Sequence, residues 1–268
     1  MNSQQMSSMN VDDVAPAELI ACVLARQLED DEIAALGAAS QLAMAAVKLA
    51  RRMHAPNLSW LCGGSGAINS QLPLLLESAA DPRNLFGAEY RYSMEDAVDL
   101  QMRGRGGTVF LGGIQVDKFG NLNMVCVGDY DNPKLRGPGS VGLPFAASFR
   151  RTIIYIQHHD PRVLVDKVDF VSGPGHSPDR AKWAVPTSQG PYLMVTPLAV
   201  FDFDTPDKQA RLVSVHPGVT VEEVLAKTGF KPLLADPVVK TQSPSVEELR
   251  ILREDIDLNG VLRRLNAH

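Results

Sequence analysis

Two short apolar runs, separated by a segment long enough for one helix, restrict the fold of this chain more than any other feature. Residues 33–36 are apolar and end at Gly37, and residues 58–62 lead into Gly63-Gly64-Ser65-Gly66. Between them, residues 42–53 keep the helical period and end in basic residues, which suit the C-terminus of a helix. A strand–helix–strand unit predicts parallel strands joined by a right-handed crossover.

The rest of the chain continues this alternation. One further helix is expected from Pro16, because proline is tolerated in a first turn, and others over residues 94–103, 220–228 and 245–256, each with a hydroxyl residue as its cap. Further strands are expected at residues 109–111, 153–157, 168–171, 193–196, 200–203 and 212–215, the last three antiparallel. The predicted class is α/β, an open and mostly parallel sheet with helices on both faces. We expect a mobile tail over residues 1–13 and a single domain over residues 14–268.

Composition excludes several classes of protein. Apolar residues make up 45% of the 268 residues and charged residues 21%, which is enough for a sizeable core. The net charge is −5, and no block of five Lys or Arg residues supports nucleic-acid binding. No apolar run approaches the ~18–20 residues of a membrane helix, and the polar N-terminus lacks the features of a signal peptide. We therefore expect a cytoplasmic protein with no membrane and no nucleic-acid partner.

Neither the cysteines nor the histidines are spaced like metal ligands. The cysteines are odd in number and widely separated, so they predict reduced thiols rather than a disulfide framework. The histidines that follow the predicted strands also lack a metal-binding spacing. The residues are Cys22, Cys62 and Cys126, and His158, His159 and His176. We expect no metal site.

The first candidate site is the turn that follows residue 61. Cys62 is either a thiolate nucleophile or a small core residue. Gly63-Gly64-Ser65-Gly66-Ala67 nearly matches the turn that carries the nucleophile of serine hydrolases, and Asp202 and His216 would follow in the hydrolase order. A phosphate-binding loop is disfavoured because the segment matches neither the G-x-x-x-x-G-K-[ST] nor the G-x-G-x-x-G pattern.

The second candidate site begins with Gly112-Gly113. Paired glycines after a strand expose backbone N–H groups, which can form an oxyanion hole, and Gln115 places an amide beside them. The alternative is a plain turn followed by a hairpin.

The third candidate site lies in residues 120–144, which are rich in Gly, Asn, Asp and Pro and predicted to be irregular. Lys134 and Arg136 could contact phosphates, and the neighbouring glycines permit close approach of a ligand to the backbone. A solvated surface loop is the alternative, but the length of the segment favours binding.

Several separated motifs together resemble one family. Residues 111–123 resemble the GGAQxDxxGNxN signature of β-subunits of family I coenzyme A transferases. Residues 128–134 and 168–175 resemble the GDYxxPK and D(Y/F)VTSPG segments of the glutaconate CoA-transferase branch. Further matches cover residues 200–203, 216–219 and 248–253. The resemblance covers nearly the whole chain beyond the N-terminal tail.

This resemblance implies a sheet of the CoA-transferase type, an α-subunit partner in a heterodimer or heterotetramer, and an active site between the subunits. It implies that coenzyme A enters as part of an acyl-CoA substrate and not as a permanently bound cofactor. Gly112 and Gly113 would stabilise an oxyanion or enolate, with Cys62 as a nucleophile or a pocket-lining residue. The expected substrate contacts are Gly63, Gly64, Ser65, Gln115, Asn121, Asn123, Asp129, Lys134, Arg136 and Gly139.

One departure from the family is informative. Transferases of this family carry a catalytic glutamate in an E-S-G or E-N-G turn after the second strand, whereas residues 62–66 of this chain contain no glutamate. Covalent CoA transfer needs a carboxylate that forms a thioester. We therefore expect a reaction without glutamate, either C–C hydrolysis or decarboxylation. A transferase that uses another acid and a non-catalytic CoA-binding subunit are the alternatives. Residues 139–142 also depart from the family's G-S-G-G.

Overall fold

The computed structural model describes residues 13–177, 180–182 and 184–265. These residues form two compact units: residues 13–92 with 242–265, and residues 93–241. They are called unit 1 and unit 2 below. The expected mobile tail, apart from Asp13, lies outside the described residues, and the single-domain interpretation of residues 14–268 stays a prediction.

Helices begin near the predicted positions. The α-helices of the described residues are α1 (Pro16–Ala25), α2 (Gln41–Met53), α3 (Met94–Met102), α4 (Val221–Ala226), α5 (Val246–Ile251) and α6 (Val261–Arg264). The predicted helix over residues 245–256 consists of α5 and a π-helical turn, Leu252–Ile256. Helix α6 was not predicted.

Hydroxyl residues cap α3, α4 and α5 as expected. The hydroxyl of Ser93 accepts a hydrogen bond from the Asp96 backbone N–H (3.2 Å), and the Asp96 carboxylate accepts one from the Ser93 N–H (2.9 Å). Ser245 and Glu248 make the same reciprocal pair at the start of α5. Such capping boxes satisfy backbone donors that have no partner inside the helix.

Unit 1 contains the predicted strand–helix–strand element. Its strands are β1 (Ile33–Leu36), β2 (Ser59–Cys62), β3 (Ala67–Ile68) and β4 (Tyr90–Arg91). Strands β1 and β2 pair in parallel with Leu36 opposite Cys62, and α2 connects them. Strands β3 and β4 add antiparallel pairs beyond β2. The glycine turns that follow residues 36 and 62 therefore leave the same end of two neighbouring strands.

The end of the chain returns to unit 1 and is joined to helix α1 by two ion pairs. Arg253 donates to both carboxylate oxygens of Glu18 (2.7 and 2.8 Å), and only 1% of Glu18 is exposed. Arg26 donates in the same two-pronged way to Glu248 (2.8 and 2.7 Å). Bidentate arginine–carboxylate pairs fix both distance and orientation, so the C-terminal helices are an integral part of unit 1.

Unit 2 contains a larger sheet and two small ones. Its strands are β5 (Thr108–Leu111), β6 (Gln115–Asp117), β7 (Leu122–Asn123), β8 (Cys126–Gly128), β9 (Pro133–Arg136), β10 (Arg151–Tyr155), β11 (Leu164–Val165), β12 (Pro191–Val195), β13 (Ala199–Asp202), β14 (Arg211–Val215) and β15 (Leu233–Lys240). In the larger sheet the order is β5, β10, β12, β13, β14 and β15. Strands β5, β10 and β12 are parallel, whereas β12, β13 and β14 are antiparallel, as predicted. The α/β class is confirmed.

Two predictions of local structure were wrong, and some strands were not predicted. Residues 168–171 form no strand, and the nearest strand is β11. Residues 120–144, predicted to be irregular, contain β7 and the β8–β9 hairpin. Strand β15 was missed because its side chains are largely exposed and it contains Pro237, which follows a cis peptide bond. Proline removes a backbone donor and argues against a strand when only the sequence is read.

The core has the apolar character that the composition predicts. Large side chains that are essentially inaccessible include Trp60 in unit 1 and Phe110, Phe149, Phe201 and Ile153 in unit 2. Among the described residues, no helix is both long and apolar enough to cross a bilayer.

Candidate functional site

The turn after β2 requires glycine for two separate reasons. A Cβ atom on Gly63 would lie 2.0 Å from the carbonyl oxygen of Leu36, so no side chain fits at this position. Gly64 and Gly66 have φ angles of +92° and +76°, in the region that favours glycine. The backbone of this turn is therefore packed directly against the end of β1.

Cys62 is buried at the start of this turn and holds it through its carbonyl group. That oxygen accepts hydrogen bonds from the Tyr92 hydroxyl (2.8 Å) and the Ser65 hydroxyl (3.4 Å). Burial raises the pKa of the Cys62 thiol to about 12, against smaller opposing effects of Ser65 and of the Lys48 ammonium. The thiol is thus neutral near pH 7, and thiolate chemistry is disfavoured in this state.

The glycine pair after β5 is tightly packed as well. A Cβ atom on Gly113 would lie 2.9 Å from the carbonyl oxygen of Gln115 and 3.0 Å from that of Asn123. One on Gly112 would lie 3.2 Å from the carbonyl oxygen of Tyr155. Both positions thus keep the backbone close to neighbouring chain segments. An oxyanion hole formed by their N–H groups stays a prediction.

Gln115 and Asn123 are the centre of a buried hydrogen-bond network in unit 2. The amide of Asn123 donates to the Gln115 side-chain oxygen (2.7 Å) and to the Cys126 carbonyl (2.6 Å). Gln115 in turn donates to the Asp169 carboxylate (3.0 Å), which also accepts the Gly128 N–H (2.8 Å). These bonds orient the loops between β6 and β8, and contact of either side chain with a ligand stays a prediction.

Asn121 belongs to a second network in the same region. Its side-chain nitrogen lies 3.0 and 3.2 Å from the carboxylate oxygens of Asp117, and its side-chain oxygen accepts the Gly175 N–H (2.8 Å). Burial raises the pKa of Asp117, while hydrogen bonds from Asn121 and from the Phe119 backbone act in the opposite direction. Asn121 thus ties the β6–β7 turn to the segment around Gly175.

The β8–β9 hairpin presents the predicted cations to solvent. Lys134 and Arg136 are both exposed and lie two residues apart on β9, so they project to the same side. The Arg136 guanidinium lies 4.9 Å from the centre of the Tyr130 ring, which stacks on Phe170 at 5.6 Å. Neither aromatic residue was predicted as a contact, although the position of Tyr130, three residues before Pro133 in a glycine-rich segment, could have indicated it.

The remaining predicted contacts are in the same region of unit 2. The Asp129 carboxylate accepts the N–H groups of Asp131 (2.9 Å) and Asn132 (3.0 Å), which shapes the hairpin turn. Gly139 has a φ of +99°, and a Cβ there would meet nothing within 4 Å. Val141 has a φ of +49° and is 68% exposed. Space is therefore available around Gly139, but a side chain there would be strained.

The structure brings together some of the predicted residues and rejects the serine-hydrolase alternative. Gly113, Gln115 and Asn123 form one cluster in unit 2, and Cys62, Gly63, Gly64 and Ser65 form one turn in unit 1.

The ring nitrogens of His216 are bonded to Thr241 Oγ1 (2.9 Å) and the Thr196 carbonyl (2.9 Å), while Asp202 pairs with Arg211 (2.6 Å). Asp202 therefore does not orient His216 as a triad would require.

The described residues contain no group of three or more His, Cys, Asp or Glu side chains arranged to hold a metal ion. His159 bonds to the hydroxyls of Thr196 (2.8 Å) and Thr228 (3.0 Å), and His176 bonds to the Pro191 carbonyl (2.8 Å). These two histidines have structural partners in unit 2.

The geometry defines an α/β protein with glycine-rich turns at the carboxyl ends of parallel strands, where ligands bind in open sheets. Residues 17–227 match the coenzyme A transferase family, and the chain belongs to it. The B-subunit of the 3-oxoadipate CoA-transferase of Pseudomonas knackmussii is 32% identical over 245 residues, 88% of this chain and 91% of the relative. The IpdB component of the cholesterol ring-cleaving hydrolase of Mycobacterium tuberculosis is 30% identical, over 90% of this chain and 94% of the relative.

Solved structures agree with these relatives. The decarboxylase AibA/AibB matches with a TM-score of 0.82 and 30% identity, over 94% of this chain and 99% of the matched chain. The glutaconate coenzyme A-transferase of Acidaminococcus fermentans matches with a TM-score of 0.84 and 27% identity, over 93% of this chain and 97% of the matched chain. The expected CoA-transferase fold is thereby confirmed.

Proposed function

We propose that this chain is the B-subunit of a heteromeric enzyme that acts on an acyl-CoA thioester by C–C hydrolysis or decarboxylation, without a glutamyl-CoA intermediate. The coenzyme A enters and leaves as part of the substrate. The partner is an A-subunit of the same family, because the relatives named above are B-subunits or two-component enzymes.

The observation that carries this proposal is the turn after β2. Gly63 has no room for a side chain, and a Cβ on Gly64 would lie 2.8 Å from the Cβ of Ala80. The remaining side chains of this turn, Cys62 and Ser65, carry no carboxylate. A carboxylate that forms an anhydride and then a thioester with coenzyme A has no place in this turn.

Decarboxylation and C–C hydrolysis are the two reactions that fit a turn without a carboxylate. In decarboxylation, the electron pair of the C–CO₂⁻ bond moves into the thioester carbonyl, giving an enolate that is later protonated. In C–C hydrolysis of a β-keto thioester, water adds to the ketone and the C–C electron pair again moves into the thioester. Both reactions need an oxyanion stabilised by N–H donors, a role assigned here to Gly112 and Gly113. Neither needs a carboxylate nucleophile.

Relatives with these activities support the choice. IpdB is part of a ring-cleaving hydrolase, and AibA/AibB is a decarboxylase. Structures of the decarboxylase exist with a single cysteine replaced by asparagine, alanine, serine or valine. A cysteine is therefore a residue of interest in that relative, and Cys62 is the cysteine beside the glycine turn of this chain.

The test is a product analysis with the assembled complex. The chain is co-expressed with its A-subunit and incubated with 3-oxoadipyl-CoA or glutaconyl-CoA, with propionate present as a CoA acceptor. Loss of CO₂, or cleavage of 3-oxoadipyl-CoA by water to succinate and acetyl-CoA, supports the proposal. Formation of propionyl-CoA together with a borohydride-reducible adduct on this chain would show transfer through another acid and overturn it. An assembled complex that consumes neither thioester would favour a binding role only.

Variants separate the two roles of Cys62. Cys62→Ala is expected to lower turnover by less than about tenfold if the thiol only lines the pocket, whereas loss of a nucleophile lowers turnover by about a thousandfold or more. Cys22→Ala is the matched control, because Cys22 is also buried and lies in α1. Both variants are first checked for assembly with the A-subunit.

A further inference from the structure

Unit 1 has a cleft of about 200 Å³ that the proposed function does not use. The last two turns of α2 form one wall, and the segment after β3 forms the other. The lining includes Lys48, Arg51, Arg52, Trp60, Ser70 and Gln71. Neither Cys62 nor the glycines of the following turn line it.

The cleft has an excess of positive charge. Lys48, Arg51 and Arg52 are spaced by three and four residues, so they project from one face of α2. Arg51 pairs with Glu89 at 3.1 Å. Lys48 donates to the carbonyls of Leu72 (2.6 Å) and Leu74 (3.3 Å), and Arg52 donates to the Lys48 carbonyl (3.2 Å). Among the described residues, no carboxylate forms an ion pair with Lys48 or with Arg52.

Lys48 is an unusual residue to find buried. Only 5% of it is exposed, and desolvation, with a further contribution from Arg52, lowers the pKa of its ammonium to about 8. Buried ammonium groups are normally paired with an anion because leaving water is unfavourable. A bound anion would supply the missing negative charge.

The buried hydroxyl of Ser70 is an independent indication that a ligand binds in this cleft. Only 3% of this residue is exposed, and its hydroxyl has no hydrogen-bond partner within the part of the chain that the structure describes. Buried hydroxyls without a partner are rare in folded proteins. Because Ser70 lines the cleft, a ligand there could accept its hydrogen bond.

We propose that this cleft is a binding site for a small phosphoryl anion, separate from the turn after β2. The polar groups that favour it are the ammonium, the guanidinium groups and the Ser70 hydroxyl, all of which can donate. These groups favour an anionic ligand whose polar atoms accept hydrogen bonds. The volume lies below the ~300–1,000 Å³ of most organic ligand pockets, which points to inorganic phosphate or a small phosphate monoester.

The proposal is tested by calorimetric titration of inorganic phosphate, and of glycerol 3-phosphate, into the full chain assembled with its partner. Binding that persists with saturating coenzyme A supports a separate site, and the tighter of the two probes identifies free phosphate or a monoester as the source. Absence of heat with both anions up to tens of millimolar overturns the proposal. Displacement of phosphate by coenzyme A also overturns it, because the cleft would then hold a phosphate of the substrate.

Three variants locate the site. Lys48→Met is expected to abolish phosphate binding. Ser70→Ala is expected to weaken it by about tenfold or more, because the variant loses a hydrogen bond to a charged group. Ser70→Ala should leave the melting temperature unchanged, because its hydroxyl has no partner to lose. Arg83→Gln removes an equal charge from an exposed residue of unit 1 outside the cleft and should bind phosphate like the wild type. If Arg83→Gln weakened phosphate binding as much as the cleft variants do, the net charge of the protein would explain the binding, and the proposal would be overturned.

Discussion

Gly63 packs so closely on Leu36 that a Cβ atom at residue 63 would lie 2.0 Å from the Leu36 carbonyl oxygen. The obstacle is backbone in a parallel strand pair and cannot move aside without disturbing the register of β1 and β2. Gly63→Ala is therefore expected to lower the free energy of unfolding by about 3 kcal/mol or more. The change is measured as a drop in melting temperature and in the urea midpoint.

Gly37→Ala is the matched control for this prediction. Gly37 follows β1 as Gly63 follows β2, but a Cβ there would meet only the Ser40 hydroxyl, at 3.5 Å. It is expected to change the free energy of unfolding by less than about 1 kcal/mol. Equal stability of the two variants would contradict the close packing of the turn after β2.

Replacement of Asn123 is expected to disrupt unit 2. Its side chain is fully buried and bonds to Gln115, to the Cys126 carbonyl and to the N–H groups of Val125 and Cys126. Asn123→Leu would leave these groups without partners and should lower the free energy of unfolding by roughly 3–5 kcal/mol. Calorimetric melting provides the measurement. Asn132→Ala, on an exposed residue of the β8–β9 hairpin, should melt like the wild type.

Acid is expected to destabilise unit 2 through His159. Burial lowers the pKa of this ring from 6.5 to about 4, so the unfolded chain binds more protons between these two pH values. The free energy of unfolding therefore falls as pH drops from about 6.5 to 4, by at most roughly 3 kcal/mol from this residue. Above about pH 7.5 the ring is almost entirely neutral in both states and contributes little pH dependence. Urea unfolding at a series of pH values measures the slope.

Adjacent histidines supply the comparison for this slope. His159→Gln should reduce the dependence on pH between 6.5 and 4, whereas His158→Gln, at the exposed neighbouring residue, should keep the slope of the wild type. His216 will preserve part of the effect, because burial also lowers the pKa of its ring. Identical slopes for the His159→Gln variant and the wild type would contradict the assignment.

Cys62 is expected to resist alkylation in the folded chain. With a pKa of about 12, only about one thiol in ten thousand is a thiolate at pH 8, and the side chain is inaccessible. Iodoacetamide at pH 8 should leave the native chain unlabelled over the time in which an exposed cysteine from Asn132→Cys is fully modified. In urea, mass spectrometry should find all three native cysteines alkylated. Rapid labelling of Cys62 in the native chain would restore the nucleophile hypothesis.

Local patterns made much of unit 1 predictable. Its signals are local in sequence: the apolar runs, the capping residues and the glycines after residues 36 and 62 each act over a few residues. The strand–helix–strand unit could therefore be inferred without knowing its tertiary contacts. The predicted strand over residues 168–171 was wrong because Asp169 bonds to Gln115 and Gly128 rather than extending into a sheet. Its apolar neighbour Val168 is buried, which imitates the pattern of a strand.

Long-range contacts explain what the sequence did not reveal. Thr196 contacts His159 and His216, and Thr241 contacts His216, although these residues are tens of positions apart in the chain. Lys48 was interpreted as part of a basic helix end, since nothing near it in sequence indicates that the ammonium is buried. The motifs placed the glycine turns correctly in the chain, but the packing that requires Gly63 depends on the neighbouring strand.

The ion pairs between α1 and the C-terminal segment have a consequence for synthesis on the ribosome. Every residue of unit 2 emerges before residue 242, whereas unit 1 needs residues from both ends of the polypeptide. Until Arg253 has emerged from the ribosome, the Glu18 carboxylate of α1 lacks the arginine with which it pairs in the folded chain. A chain that ends prematurely after residue 241 would leave Glu18 without Arg253 and Arg26 without Glu248.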